Sequence, residues 1–246
     1  MRAQREYNSA LYLVDMGLND CQIGRVLAIP RGTVRDWRRA EVRHSVNGFP
    51  SNCPRCDGRE LDEEAYAYLL GLYLGDGCLS RGAKDVLRLR ITLDVRYPGI
   101  IESCREAIDR IRSKPTVRAG VVSCVGCVSV NGYWKHWSCL FPQHGSGKKH
   151  ERTIRLEPWQ EAIVRSRAKD FLRGLVHSDG CRDLNLVKGK SYPRYQFVNH
   201  SDDIRHMFCD TCDQLAIHWT QPYWKTISIA RRGDVAFMDE FIGPKK

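Results

Sequence analysis

The sequence lacks an apolar run long enough to cross a bilayer, and its first residues, Met1 to Asn8, are polar and charged. Neither a membrane anchor nor an export signal is therefore expected. Acidic residues are in deficit, with 29 Asp and Glu against 39 Lys and Arg, leaving a net charge of +10. That excess points to a polyanionic partner, nucleic acid first, because Lys and Arg gain affinity by displacing counterions from phosphates. A merely basic enzyme is the alternative. The cysteines lack an even count. Eleven of them in 246 residues without an export signal fit reduced thiols in a cytoplasm better than a disulfide scaffold. Nucleotide-binding chemistry is missing too. Gly147-Lys148 is superficially similar to a P-loop, but no Gly lies five residues before Gly147, and Lys149 stands where Ser or Thr is needed. Metalloprotease, kinase and serine-hydrolase signatures are absent. What remains, 42% hydrophobic and 28% charged, is the composition of an ordinary globular chain with room for a sizeable core.

Residues 1–42 read as a small all-α unit. Helix-compatible apolar residues run from Ala10 to Val14, and Met16 to Asp20 reads as a turn. Asp20 is the expected N-cap of a second helix with Ile23, Val26 and Leu27 inside. Ala28-Ile29-Pro30 breaks it, and Arg31 to Arg39 forms a third helix with Val34 and Trp37 turned inward. Two short helices joined by a tight turn, the second rich in Arg, resemble a helix-turn-helix module. Arg31, Thr33, Arg35, Arg38 and Arg39 would then face DNA. A trihelical packing module with a solvated basic face is the other reading.

Residues 43–60 form a linker rich in Gly, Pro, Asn and Ser. Cys53-Pro54-Arg55-Cys56 followed by Asp57-Gly58 is one half of a zinc knuckle. No second pair follows at the usual spacing. Cys124/Cys127 sits in strand-like surroundings and Cys209/Cys212 on an amphipathic helix. Unpartnered thiols are the favoured reading, with a structural zinc the less favoured one.

The most informative pattern is a repeat. Asp62 to Gly77 reads as an N-capped helix, acidic in its first turn, that stops at Gly75-Asp76-Gly77. Phe171 to Gly180 ends the same way. Aligned, the two copies give Leu-x-Gly-Leu-x-x-small-Asp-Gly, with Asp76 and Asp179 in register. Gly71 and Gly75 share one helical face, as do Gly174 and Ser178. Such a small-xxx-small face lets two helices approach until their backbones nearly touch. The C-terminal ends would then bring the two aspartates together. Carboxylates facing like charge and the negative ends of two helix dipoles call for a divalent cation, and hard oxygen ligands suit magnesium.

These two segments resemble the motifs of LAGLIDADG homing endonucleases, in the single-chain form with two motifs. The resemblance implies that Asp76 and Asp179 bind catalytic metal (Mg2+). It also implies an α+β fold of two pseudo-symmetric αββαββα repeats, 61–165 and 166–246, whose saddle-shaped sheet lies along double-stranded DNA. The chain would be a monomer with an internal pseudo-two-fold axis. Leu74 and His177 depart from the family's motif, where an Asp stands, but not at the metal-binding position.

The rest of each repeat follows suit. Val86 to Leu93 alternates strictly, placing Arg88, Arg90 and Thr92 on one face, where Arg can bridge guanine. A helix from Ile100 to Ile111 and a strand from Val117 to Val130 follow. In the second repeat Tyr192 to Asn199 places Arg194 and Gln196 together. A helix from Asp202 to Leu215, a strand from Thr226 to Ala230 and a helix from Val235 to Ile242 complete it. Simple solvent exposure of a half-buried sheet is the plain alternative for these polar faces. Between the repeats, His144 to Arg152 reads as a basic connector in which Lys148 and Lys149 reach DNA, or as a solvated linker. Arg90, Lys148, Lys149 and Lys225 are candidates for a basic group beside the metals. With Met at its start and no splice-junction chemistry, the chain reads as free-standing. A site-specific endonuclease is the expectation, with a non-cleaving DNA-binding regulator on the same scaffold as the alternative.

Overall fold

A computed structural model describes residues 4–39, 52–112 and 117–243 of the chain. The chain divides into two compact units, 1–51 and 52–246. Residues 43–51 of the expected linker and the side chain of Arg39 lie outside the described set.

The first unit holds α1 (Gln4–Asp15), α2 (Asp20–Val26) and α3 (Arg31–Arg39). Ala10, Ile23, Ile29 and Val34 close its core, with Leu27 and Trp37 packed against it. Two expectations need correcting. The N-cap of α2 is Asn19, not Asp20: its Oδ1 accepts from the amides of Cys21 and Gln22, and Gln22 Oε1 accepts from the Asn19 amide. Asp20 becomes the first helical residue and accepts instead from Arg38 Nη1, at 3.0 Å. Val26, expected inside, is 63% exposed, and Leu27 packs against the core in its place.

The second unit is built round α5 (Glu63–Asp76), which follows the one-turn helix α4 (Pro54–Asp57). Asp62 caps α5 by accepting from the Ala65 amide at 3.0 Å, and Glu63 and Glu64 favour its positive end. Ala65 to Leu74 are buried without interruption, so this helix is enclosed on all sides. β1 (Gly77–Arg81), β2 (Leu87–Asp94), α6 (Pro98–Arg112), β3 (Gly120–Cys124) and β4 (Cys127–Trp134) follow. The one-turn α7 (Trp137–Leu140) and α8 (Pro158–Ser166) lead to the second motif helix, α9 (Ala168–Asp179). Behind it come β5 (Gly180–Val187), β6 (Lys190–Val198), α10 (Asp202–Gln214), β7 (Thr220–Tyr223), β8 (Thr226–Ile229) and α11 (Arg232–Ile242). The two antiparallel sheets have matching strand orders, β1-β2-β4-β3 and β5-β6-β8-β7. The repeat read from two motifs thus extends to both sheets, and the fold is the expected α+β arrangement.

Several elements differ from the sequence reading. The expected strand from Val117 to Val130 is a hairpin, turning at Val125-Gly126 with Gly126 at φ +73°. β1, β5 and β7 were implied by the αββαββα repeat of the resemblance but not located in the residues, and α8 was not anticipated. The Gly75-Asp76-Gly77 and Ser178-Asp179-Gly180 segments do not end their helices in a left-handed turn. Gly77 and Gly180 are extended, with φ −92° and −101°, and each opens a strand at once. Glycine is needed there for space, since a Cβ on Gly77 would stand 2.5 Å from Tyr73 Cα and one on Gly180 2.7 Å from Val176 Cα.

Where α5 crosses α9 the backbones touch. A Cβ on Gly71 would lie 2.7 Å from the Leu175 amide nitrogen and 2.8 Å from Gly174 Cα, and one on Gly174 would collide with the Tyr68 carbonyl. The core runs unbroken across this crossing, from Leu89, Ile91 and Val130 under one sheet to Tyr195, Phe197 and Ile227 under the other. His177, which stands where the family motif has Asp, is buried here. Its Nε2 donates to the Ile242 carbonyl at 3.1 Å, so its Nδ1 accepts from the Tyr68 hydroxyl at 3.0 Å. It ties α5, α9 and α11 together.

Because the obstacle at Gly174 is backbone, which cannot rotate away, Gly174→Ala should destabilise the chain by about 1–3 kcal/mol or more. Urea titration checks this. The same change at Gly233, where an added Cβ meets nothing within 4 Å, should cost less.

Candidate metal and DNA site

Asp76 and Asp179 are the last residues of the two motif helices. The crossing brings those ends together. The Asp179 carboxylate lies against the other motif, 2.7 Å from where a Cβ on Gly75 would be. Asp179 Oδ2 also accepts from Asn199 Nδ2 at 2.7 Å, and the Asn199 backbone oxygen accepts from Arg205 Nη1 at 2.7 Å. Asn199 closes the end of β6, and its amide donates to the Lys225 carbonyl at 3.1 Å. The acceptor atom at Asp179 is therefore fixed from the sheet side as well as from the helix.

Lys149 turns in toward the end of the first motif helix, close enough to both aspartates to feel their charge. Its ammonium donates to the backbone oxygens of Tyr73 and, at 3.1 Å, of Gly75, and lies 4.8 Å from the centre of the Tyr73 ring. These carbonyls belong to the negative end of α5. Burial drives the Lys149 pKa down to about 8, while the Asp179 and Asp76 carboxylates pull it the other way. The His144 to Arg152 segment is therefore not a plain solvated linker: Lys149 turns inward, and Lys148 stays exposed, paired with Glu151 at 3.4 Å. Of the four basic candidates in the sequence, Lys149 is the one held at the aspartates. Nothing in its local sequence separates it from Lys148. Only the fold does.

Above this group opens a cleft of about 420 Å³. Tyr73, Gly75, Cys78, Lys149, Asp179 and Asn199 form part of its wall. On the adjoining sheet Leu89, Ile91 and Leu93 point into the core, and Arg88, Arg90 and Thr92 share the opposite face. There they stand across from Tyr133, Asn131 and Ser129 of β4. Arg194 and Gln196 share the corresponding face of β6, but the Arg194 guanidinium is gripped by Asp183, at 2.9 and 3.0 Å. In the first unit Arg31 and Arg35 are exposed and Thr33 half-buried, and Arg38 is joined to Asp20. Cys209 and Cys212 are buried on α10 as packing residues, and Cys124 and Cys127 face each other across the β3–β4 turn. The partners of Cys53 and Cys56 are neither of these pairs but His136 and Cys139.

No family model and no curated protein matches the chain. Solved structures do. The homing endonuclease I-DmoI in complex with DNA and Mn has a TM-score of 0.50 at 15% identity, over 74% of this chain and 98% of that one. A variant form of I-DmoI, in complex with its target DNA and in the presence of Mn, gives 0.50 at 14% identity, over 74% and 95%. The LAGLIDADG meganuclease I-AabMI bound to uncleaved DNA gives 0.44 at 13%, over 72% and 82%. At such identities the likeness is one of fold, and the I-DmoI matches place the LAGLIDADG fold on this chain.

The lowered Lys149 pKa fixes the sign of a pH effect in the metal-free protein. Between about 8 and the ordinary lysine value near 10.5, the unfolded chain binds more protons than the folded one, so this group's unfavourable contribution disappears as pH rises through that window. Lys149→Met lacks it. The melting temperature of the variant relative to the parent should therefore fall between pH 7 and pH 10, measured by scanning calorimetry.

Proposed function

We propose that the protein is a site-specific double-stranded DNA endonuclease of the LAGLIDADG homing type, hydrolysing phosphodiesters with divalent metal held by Asp76 and Asp179. The observation that carries this reading is the inward-turned Lys149 ammonium, held on the last carbonyls of α5 where the two motif helices end in Asp76 and Asp179, beside an open cleft. A structural helix crossing has no use for that arrangement, which desolvates a lysine and draws like charges together. The donor set fits a hard cation such as Mg2+: carboxylate oxygens, one of them oriented by Asn199, with space in front of them. When bound, such an ion polarises a phosphate and lowers the pKa of a water.

The chain's own residues would do the rest. The outer sheet faces, with Arg88, Arg90, Thr92 and Gln196, would seat the duplex, with Arg194 contributing once released from Asp183. Lys149 would present its ammonium to the charge developing on the phosphate. Lys148 would contact the backbone nearby. The neighbours solved with DNA and Mn support the same reading at the level of the fold. α3 of the first unit, with Arg31, Thr33, Arg35 and Arg38, would add a second DNA contact in the manner of a recognition helix. That trihelical unit is also what favours a second reading, a DNA-binding regulator that does not cut.

Incubation of the full chain with a randomised or genomic plasmid library and Mg2+ or Mn2+ separates the two. Double-strand breaks at one sequence are expected. They should be lost in Asp76→Asn/Asp179→Asn and slowed about 10²- to 10³-fold in Lys149→Met. No cleavage with tight, salt-sensitive binding that ignores the aspartates would leave the regulator. Independently, Arg31→Ala/Arg35→Ala should weaken binding and lower the slope of log affinity against log salt by about one for each phosphate no longer neutralised, read by fluorescence anisotropy.

A further inference from the structure

Outside the cleft, one cluster of metal-binding side chains has no part in the chemistry above. Cys53, Cys56, His136 and Cys139 place their donor atoms within 4.8 Å of one another. They come from two single turns far apart in sequence. Cys53 caps α4, and the amides of Cys56 and Asp57 donate to its carbonyl at 3.1 and 2.9 Å. His136 caps α7, and the Cys139 amide donates to its carbonyl at 3.0 Å. Each turn thus sends its first and fourth side chains to the same side, and the two turns face each other.

The distances discriminate between thiols packed by chance and a ligand set. Cys56 Sγ lies 3.7 Å from Cys139 Sγ and 3.5 Å from His136 Nδ1, and Cys139 Sγ lies 3.8 Å from the same nitrogen. A tetrahedron with Zn–S about 2.3 Å and Zn–N about 2.0–2.1 Å has sulfur–sulfur edges of about 3.8 Å and sulfur–nitrogen edges of about 3.6 Å. A disulfide would need about 2.05 Å. None of the eleven cysteines, all among the described residues, is in a disulfide. Cys53 is buried and His136 and Cys139 are half-buried, so the turns already exclude much of the solvent an ion would have to lose.

We propose that Cys53, Cys56, His136 and Cys139 bind one structural zinc ion as a Cys3His site. Three thiolates and an imidazole select zinc over the hard cations suited to the aspartates. All four positions are filled by protein, which leaves no opening for substrate. The ion's work is to join two segments. α7 leads through buried Phe141 and Gln143 into the stretch that ends at Lys149, so zinc would clamp residue 53, near the start of this unit, to the root of the segment carrying that lysine. The neighbourhood is prepared for it. Asp57 Oδ2 accepts from the Cys53 amide at 3.3 Å, and the Arg55 guanidinium lies 4.6 Å from the Trp159 ring, holding the knuckle down.

The full chain, purified without chelator, should carry one zinc per molecule by plasma mass spectrometry. Cobalt in its place should give thiolate charge-transfer absorption and intense tetrahedral d–d bands. Cys56→Ser/Cys139→Ser should lose the metal, His136→Cys should keep it with shifted cobalt bands, and Cys124→Ser/Cys127→Ser should change nothing. Stripping zinc should lower the melting temperature. A chain that leaves purification metal-free, takes up no cobalt and melts identically with and without zinc would overturn the proposal, as would loss of metal in the Cys124/Cys127 variant instead.

Discussion

Everything in the larger unit hangs on the contact between α5 and α9. Four positions, Gly71, Gly75, Gly174 and Ser178, have side chains small enough for the two backbones to meet. That contact sets where each sheet begins, because β1 and β5 start at the residues directly after Asp76 and Asp179. It also makes one core of two repeats. The aspartates come together as a by-product of packing, and the site inherits its precision from the best-buried elements of the molecule.

The site is nonetheless not symmetric. Asn199 orients Asp179 from β6, and Lys149 reaches in from the connector between the repeats. A connector occurs once in a two-fold repeat, so whatever it contributes is single. His177 marks the same departure in the core, since Leu74 in the first motif has no hydrogen bond to offer where His177 makes two. Tyr68 and Ile242 lie on opposite sides of α9, and a neutral imidazole satisfies both where a carboxylate could satisfy only one as an acceptor.

How much of this could be read in the sequence divides along a physical line. The strands β2 and β6 were legible because each alternates buried and less buried positions, and α5 and β8 because their apolar runs are buried throughout. The strands that escaped, β1, β5 and β7, and the hairpin arm β3 merged with β4, are all at sheet edges. β3 and β7 are exposed throughout, and Leu184 and Leu186 of β5 point their apolar side chains to solvent. No alternation records a strand that is not half-buried. Asn19 displaced Asp20 as a cap because either residue type can fill that role, and only the Gln22 partner decides it. The partners of Cys53 and Cys56 stayed hidden for another reason: a ligand pair spelled His-x-x-Cys, eighty residues on, becomes a neighbour only once α4 lies against α7.

The direct passage from helix to strand at Asp76 and Asp179 has a mechanical meaning. With no loop between them, each carboxylate is a rigid fitting shared by a helix and a sheet, without slack to take up movement. The gap between the carboxylates and the angle between the sheets are then one variable rather than two. Under the proposed function, a duplex that pressed the sheets apart or together would gear that displacement directly to the spacing of the acidic pair, so that fit along the whole length of the bound segment would be reported at a single point.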